Sequence, residues 1–316
     1  MKLVCYIKEG HDQLAILAGN TLYDMDALHP ELPSTMSMFL NYWDDYFPVA
    51  KAINESIAQG KISLNQGLSL NSVPLISPVP LPASCRRAIV FNNQLNSLGL
   101  YPDDTKPPAS FHFINHHSVR GVGDVSCMPD HFEELDFEMG VALVVSSHCR
   151  NITAEEADQY IGGYMIMNKI IVQNKLLSKD IANVLGPWLV TADELEPFRI
   201  TRESKRGNSY NLKMACKVNG KPLINSNLAD MEWTFAEILE SCAYGSDLQP
   251  GDIIGTGAIV MGCYLNLNHS LTGKQEVAGH SERWLQKDDI VEIEIEGLGI
   301  LTTTITAENS DFSLQY

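Results

Sequence analysis

Two stretches of alternating side chains constrain the fold of this chain more than any other feature. Residues 290–296 (IVEIEIE) alternate apolar and acidic side chains from Val291 onward, and residues 136–145 (DFEMGVALVV) alternate within a highly apolar segment. Since successive side chains of a strand point to opposite faces, a period of two predicts strands, and the acidic rhythm predicts one solvated face. Strand patterns dominate after about residue 85, with few helices between them. The sequence therefore predicts an α+β fold that is mostly β.

The beginning of the chain predicts a small N-terminal α/β domain, residues 1–75. Residues 2–7 are a short strand candidate, and residues 36–57 carry apolar side chains at helical spacing. Four prolines within residues 72–82 are typical of an extended linker, which we place at residues 76–84. Residues 85–316 then form the larger domain.

Composition narrows the class of partner. The chain has 316 residues, a formal net charge of −17 and a pI near 4.8. Such an acidic protein repels phosphate backbones and anionic lipids, so we expect no nucleic-acid or membrane partner. The first residues contain no continuous apolar stretch, and the seven cysteines form no CxxC pair, which is typical of reduced thiols. We therefore expect a cytoplasmic protein.

Two carboxylates at the start of the predicted strand 136–145 suggest a cation site. Asp136 and Glu138 are two residues apart, so their side chains share a face, about 7 Å apart along the backbone. The same face continues with small or apolar side chains, and two like charges there are costly unless a cation or a proton compensates them. Hard divalent cations prefer such oxygen ligands. The alternative is a solvated strand end.

Five segments resemble the fumarylacetoacetate hydrolase (FAH) family, in the family's order and at roughly its spacing. The resemblance covers about residues 85–305, and a small N-terminal domain also suits the family. The five segments are Glu134–Met139, Gly163–Asn168, Leu185–Val190, Leu248–Gly257 and Asp289–Gly299.

The resemblance implies a fold and a chemistry. It implies a mixed β-roll as the C-terminal domain, with a small N-terminal domain and usually a homodimer. Members of the family cleave, hydrate, decarboxylate or isomerise small 1,3-dicarbonyl or 2-keto acid compounds, and a Mg²⁺ or Ca²⁺ ion holds the enolisable oxygens. By the same resemblance, Asp136 and Glu138 match the first two acidic ligands of that ion.

This sequence departs from the family pattern at several polar positions. The third ligand should be an aspartate directly after Asn168, and Lys169 stands there instead. Asn96 occupies the position of a histidine that often activates water. The scaffold motifs are kept while polar positions change, so we predict altered or lost chemistry and no metal cofactor unless Lys169 moves away. By the same resemblance, the candidate substrate contacts are Asn92, Asn96, Gln173, Tyr164, Thr256 and Gly257.

Lys169 leads to a specific hypothesis. If its ammonium points toward Asp136 and Glu138, it occupies the position of the cation, and an internal Lys–Asp–Glu ion cluster replaces the metal. Between carboxylates a lysine stays protonated, which favours a role as proton donor or oxyanion stabiliser over that of a nucleophile. A purely structural salt bridge, or a side chain that points elsewhere, are the alternatives.

Two neighbouring histidines are candidate bases. His116 and His117 lie just before the acidic strand, near the position of the family's substrate loop, and a histidine there could replace the lost base. Paired histidines in a loop are more often simply solvated.

Three functions fit these observations. The first is an enzyme on a small keto acid or 1,3-dicarbonyl substrate that uses Lys169, Asp136, Glu138 and a histidine without a metal. The second is a non-catalytic relative with a binding or scaffold role. The third is an ordinary metal-dependent hydrolase in which Lys169 turns away from the ion.

Overall fold

One large sheet carries both the N-terminal strands and the acidic segment that begins at Asp136. The computed structural model describes residues 1–62, 67–89, 109–173, 179–258, 262–272, 282–310 and 312. Within these ranges the large sheet contains eleven strands: β1 (Lys2–Lys8), β2 (His11–Ala18), β3 (Thr21–Asp24), β4 (Leu68–Ser69), β5 (Cys85–Ile89), β6 (Ser110–Ile114), β7 (Val119–Arg120), β9 (Leu135–Val145), β10 (Ile161–Val172), β11 (Lys179–Thr191) and β16 (Ile253–Gly255).

The order of these strands brings distant segments together. It runs β4-β3-β2-β1-β11-β10-β9-β16-β5-β6, and β7 pairs with β11. The long strands β9, β10 and β11 are antiparallel and form the middle of the sheet, while β5 runs parallel to β16. Among the described strands, β6 is at the edge of the sheet. The short strand β16 connects β5 and β6 to the central strands, because it pairs with β9 on one side and with β5 on the other.

A second sheet covers one face of the first. The order of its strands is Lys221–Asn227, Lys213–Val218, Ile290–Ile295, Gly299–Ala307 and Gly123–Cys127. A hydrogen bond of 3.1 Å from Asn168 Nδ2 to Thr303 Oγ1 joins this sheet to β10. Phe137 and Val141 of β9 share a buried cluster with Ile293 of this sheet. A third, two-stranded sheet completes the set. The remaining strands are β8 (Gly123–Cys127), β14 (Lys213–Val218), β15 (Lys221–Asn227), β17 (Ile290–Ile295), β18 (Gly299–Ala307) and, in the small sheet, β12 (Arg199–Ile200) and β13 (Ser209–Tyr210).

Helices are few and lie outside the sheets. No helix of the described residues is long and apolar enough to cross a membrane. The α-helices are α1 (Met25–Leu28), α2 (Met36–Asn41), α3 (Trp43–Ala58), α4 (Ala154–Ala157), α5 (Phe235–Ala243) and α6 (Tyr264–Thr272). The 3-10 helices are Leu70–Ser72, His116–Ser118, Pro129–Glu133, Asp158–Tyr160, Ala192–Phe198 and Leu228–Asp230.

The two faces of the large sheet have different covers. Odd-numbered residues of β9, such as Phe137, point toward the second sheet. Even-numbered residues such as Ala142, with Met165 of β10, pack against Phe39 of the N-terminal helices. By strand alternation Asp136, Glu138 and Lys169 lie on this second face, which we call the site face. The apolar half of the site face is covered by helices, and its other half carries the charged residues.

The mostly β, α+β fold predicted from the sequence is confirmed. The N-terminal strands join the same sheet, because Lys2 of β1 pairs with Val190 of β11. Leu3 and Ile16 also belong to one buried cluster with Ala142, so residues 1–75 share a core with the rest of the chain. The boundaries at residues 75 and 84 stay a prediction.

Candidate active site

Asp136 is completely buried, and its carboxylate holds the start of helix α6. Oδ1 accepts hydrogen bonds from the backbone N–H groups of Phe137 (2.8 Å) and Tyr264 (2.7 Å), and Oδ2 accepts from Leu265 N (2.9 Å) and Gln173 Nε2 (3.1 Å). A helix begins with N–H groups that lack a partner in the helix, and a distant carboxylate satisfies two of them here. Burial raises the pKa of Asp136 to about 6, although these hydrogen bonds lower it.

Glu138 belongs to a separate group of charges. Its Oε1 accepts a hydrogen bond from Arg87 Nη2 at 2.8 Å, and its Oε2 lies 3.9 Å from Lys169 Nζ. The same Lys169 ammonium lies 2.7 Å from Asp180 Oδ1. We call these four residues, Arg87, Glu138, Lys169 and Asp180, the charge cluster. Their side chains are between 5% and 22% exposed, so two cations and two anions compensate each other in a largely buried place.

Strand pairing assembles the charge cluster. Lys169 of β10 stands directly opposite Glu138 of β9 in the antiparallel ladder, where side chains of a pair share a face. On the other side of β10 the ladder with β11 is irregular between Ile170 and Ile171, and this irregularity brings Asp180 opposite Ile171. Asp180 is therefore a diagonal neighbour of Lys169. Arg87 comes from β5, beyond the short strand β16.

Two glycines shape the space beside the charge cluster. A Cβ on Gly140 would lie 2.6 Å from the Gly257 carbonyl oxygen, so only glycine lets the 256–257 segment cross β9 this closely. Gly257 has φ +71°, and a Cβ there would meet the Ala88 carbonyl oxygen at 2.6 Å. The space enclosed here is about 10 Å³, room for roughly one water molecule. Its lining residues are Arg87, Glu138, Gly140, Met167, Lys169 and Gly257.

The expected Lys–Asp–Glu cluster differs from the observed one in its aspartate. Lys169 does approach Glu138, but among the described residues its aspartate partner is Asp180 rather than Asp136. The reason is that the Asp136 carboxylate turns to the N-terminus of α6 and receives four N–H donors, two of which belong to the start of that helix. Gln173, predicted as a substrate contact, donates one of them and so contacts Asp136.

Tyr164, which the sequence predicted as a substrate contact, lies on the opposite face of the sheet from the charge cluster. It is five residues from Lys169 on the same strand, so the two side chains point to opposite faces. Its ring is 1% exposed and packs against Tyr210 and Phe235, with ring centroids 5.5 and 4.8 Å away. Its face could have been recognised from the sequence by counting along β10.

The other predicted substrate contacts differ in their distance from the cavity. Gly257 lines the cavity, whereas the Thr256 hydroxyl is buried and used by the backbone, accepting from Val141 N and donating to Gly257 O, both at 3.1 Å. Asn92 and Asn96 lie outside the described residues.

The two candidate histidines lie beyond β6, in the 3-10 helix His116–Ser118. Their rings face each other at a centroid distance of 4.0 Å, and His117 is exposed. In the described part of the chain no hydrogen bond or ion pair joins either ring to the charge cluster.

Three residues near the charge cluster were missed by sequence reasoning: Arg87, Asp180 and His112. Two consecutive arginines in the short strand Cys85–Ile89 were a usable signal, since alternation sends them to opposite faces and a buried arginine needs a carboxylate partner. Arg86 indeed pairs with Asp252, 3.2 Å away, and Arg87 with Glu138. Asp180 and His112 carry no comparable signal.

Comparison with known proteins gives a consistent family. The sequence model of the fumarylacetoacetate (FAA) hydrolase C-terminal domain matches residues 90–306. An uncharacterised protein of Methanocaldococcus jannaschii is 32% identical over 181 residues, 56% of this chain and 64% of that relative, so the match spans less than two thirds of its length. The mitochondrial oxaloacetate tautomerase of Xenopus laevis is 25% identical over 297 residues, 92% of this chain and 85% of the relative.

A solved structure shares the fold over nearly the whole chain. The maleylpyruvate hydrolase of a Sphingobium species, crystallised with manganese(II) and pyruvate, superposes with a TM-score of 0.71 at 18% identity. The match covers 98% of this chain and 100% of that one.

Proposed function

Because this chain belongs to the fumarylacetoacetate hydrolase family, we propose that it is an enzyme acting on small enolisable keto acids or 1,3-dicarbonyl compounds, with two side-chain cations in the place of a divalent metal. The names of the Xenopus and Sphingobium relatives, oxaloacetate tautomerase and maleylpyruvate hydrolase, support a small keto acid as substrate class. Formation of an enolate is the step that tautomerisation, decarboxylation and C–C cleavage of such compounds share.

The observation that carries this proposal is a pair of cationic groups with unused donors beside one small cavity. Lys169 Nζ has three N–H bonds, and among the described residues only its contact with Asp180 is of hydrogen-bond length. The buried Arg87 Nε has no hydrogen-bond partner among the described residues. A keto acid brings two neighbouring oxygens, a carboxylate and a carbonyl, which match two such cations.

These cations can stabilise the charge that develops during enolisation. When a proton leaves the carbon next to the carbonyl, the negative charge moves to the carbonyl oxygen. A fixed ammonium or guanidinium near that oxygen stabilises it strongly in a site with little water. Glu138 and Asp180 hold the two cations in place before the substrate arrives, so the reaction requires little reorganisation.

The residues at this site do not fit a divalent cation. Asp136 uses all four of its acceptor positions for N–H donors. Glu138 accepts from Arg87, and the Lys169 ammonium stands 3.9 Å from its second oxygen, where its charge would repel a metal ion. The neutral charge cluster thus already provides the compensation that a metal would give.

The test is an assay of the wild type and Lys169→Ala on oxaloacetate, acylpyruvates and β-diketones, once with EDTA and once with Mg²⁺. Activity in EDTA that the substitution abolishes supports the proposal. Activity that requires Mg²⁺ favours an ordinary metal enzyme of the family. A wild type that is inactive on every compound under both conditions favours the non-catalytic alternative.

We also propose that the protein is a homodimer located in the cytoplasm, as the family resemblance and the absence of cysteine pairing in the sequence led us to expect. All seven cysteines fall within the described residues, and each is buried and free. Analytical ultracentrifugation of the full chain tests the dimer, with a single species of twice the mass of 35.0 kDa as the expected result.

A further inference from the structure

His112 is brought to the charge cluster by the pairing of β5 with β6. It stands directly opposite Arg87 in this antiparallel ladder. Side chains of directly opposite residues lie on the same face of a sheet with Cβ atoms about 5 Å apart. Since the Arg87 guanidinium reaches Glu138 on the site face, the His112 imidazole extends from the site face as well.

The neighbouring pair confirms this assignment of faces. Arg86 stands opposite Phe113 in the same ladder, and the Arg86 guanidinium carbon lies 4.7 Å from the Phe113 ring centroid. Arg86 pairs with the buried Asp252 rather than with the charge cluster. The two arginines of β5 thus have separate partners. The residue opposite each arginine on β6 lies on the same face of the sheet as that arginine.

The charges around His112 favour a neutral imidazole. Partial burial, and then the positive charges of Arg87 and Lys169, lower the pKa of His112, while the negative charges of Asp180 and Glu138 oppose them. These four groups come from β5, β10, β11 and β9, and they are the charged groups that act on it in the described part of the chain. The side chain stays accessible to solvent, as a group that meets a substrate must.

Building on the proposed function, we propose that His112 is the catalytic base that takes the proton from the carbon next to the substrate carbonyl. The imidazole nitrogen forms an N–H bond as the C–H bond breaks. The electron pair of the C–H bond becomes the C=C bond of the enolate. The carbonyl oxygen takes the negative charge beside Lys169 and Arg87, and the imidazolium returns the proton to that oxygen. Keto acid and enol have the same composition, so no other reactant is needed.

This role belongs to His112 and not to His116 or His117. Those two lie beyond the end of β6, and no residue of the charge cluster forms a hydrogen bond or ion pair with them in the described residues. His117→Ala is therefore a matched control, since it removes an exposed imidazole five residues away. His112→Gln keeps a polar side chain of similar size but cannot transfer a proton.

The experiment follows exchange of the C3 hydrogens of oxaloacetate with deuterium by NMR, in EDTA, from pH 5.5 to 9. The wild type is compared with His112→Ala, His112→Gln and His117→Ala, and circular dichroism establishes that each variant is folded. We expect both His112 variants to lose about 100-fold in kcat with little change in KM, a loss typical of a removed base. We expect them to lose the acidic limb of the pH profile, and added imidazole to restore part of the activity of His112→Ala. His117→Ala should match the wild type.

Two outcomes would overturn the proposal, and they have different consequences for the proposed function. If wild type and His112→Ala exchange at the same rate with the same pH profile, His112 is not the base, while the proposed function stands. If the folded wild type catalyses no exchange at all, the proposed function fails together with the role of His112.

Discussion

Lys169 stands opposite Glu138 on two antiparallel strands, with 3.9 Å between Nζ and Oε2, while its closer partner is Asp180 at 2.7 Å. A shift of one residue between β9 and β10 would turn the lysine to the other face of the sheet. The register of β9 and β10 therefore places the Lys169 ammonium near Glu138. The irregular ladder between β10 and β11 places Asp180 near the same ammonium.

We predict that Lys169→Met destabilises the protein by about 3 kcal/mol, since removing one partner leaves buried charges uncompensated. Asp180→Asn in the same chain should recover part of this loss, because Arg87 and Glu138 then remain as a neutral pair. Urea unfolding of the two single variants and the double variant measures the coupling between Lys169 and Asp180.

Lys51→Met is the control for this series. Its ammonium pairs with Asp193 at 2.9 Å but is 43% exposed, so the loss should stay below about 1 kcal/mol. Equal effects at the two lysines, or no coupling between Lys169 and Asp180, would contradict a compensating charge cluster.

Sequence reasoning singled out Asp136, Glu138 and Lys169 but missed Arg87 and Asp180, which complete the charge cluster. Alternation along one strand is local information, so it predicts that Asp136 and Glu138 share a face and that Tyr164 and Lys169 do not. The partner of Lys169 depends on strand register, and Asp180 reaches it only through an irregular ladder. Such pairings arise from the whole sheet and leave no pattern in a single segment.

The same limit explains the role of Asp136. Its partners Tyr264 and Leu265 lie 128 and 129 residues further along the chain. A carboxylate that holds a distant helix and one that binds a metal look identical in sequence. The resemblance to the family favoured the metal, and the helix contact became visible only in the folded chain.

Metal titration separates these two roles of Asp136. Calorimetric titration of the wild type with Mg²⁺ or Ca²⁺ should give no binding tighter than about 1 mM, because a useful site needs several free oxygen ligands. Among the described residues no group of three or more His, Cys, Asp or Glu side chains is arranged to hold an ion. Micromolar binding that Glu138→Gln abolishes would contradict the prediction.

Asp136→Ala should lower the free energy of unfolding by at least about 2 kcal/mol, since it leaves buried N–H donors without partners. Thr234→Ala is the variant for comparison. It removes the N-cap side chain of α5 and should lower the free energy of unfolding by about 1 kcal/mol. Hydrogen exchange should increase at Tyr264 and Leu265 in Asp136→Ala alone. Unchanged protection there would mean that the carboxylate does not hold α6.

Asp136 also gives the stability a pH dependence of defined sign. Burial raises its pKa to about 6 in the folded protein, from an ordinary value of 3.8. Between these values the folded state binds the proton more tightly than the unfolded state, so this group's contribution to stability falls as the pH rises from about 4 to about 6. The full change is about 3 kcal/mol.

Urea unfolding of wild type and Asp136→Asn between pH 4 and 8 isolates this contribution, since all other groups titrate in both proteins. The difference in unfolding free energy between them should decrease up to about pH 6 and stay level above it. A difference that increases over the same range would mean that the four hydrogen bonds outweigh burial.

Gly257 and Gly220 allow the wall of the cavity to be tested with matched backbones. Their φ angles are +71° and +72°, but a Cβ on Gly220 meets nothing within 4 Å, whereas one on Gly257 meets the Ala88 carbonyl oxygen at 2.6 Å. Gly220→Ala should therefore cost only the left-handed strain of about 1 kcal/mol. Gly257→Ala adds a backbone clash and should cost at least about 2 kcal/mol more.

The same pair of variants connects the cavity to activity. The added methyl group also lies 3.2 Å from Arg87 Nε, so Gly257→Ala must displace the guanidinium whose donor we assign to the substrate. We therefore expect a raised KM for oxaloacetate in Gly257→Ala at a temperature where the variant is folded, and an unchanged KM in Gly220→Ala. If the folded Gly257→Ala protein kept the KM of the wild type, the substrate would not contact this side of Arg87.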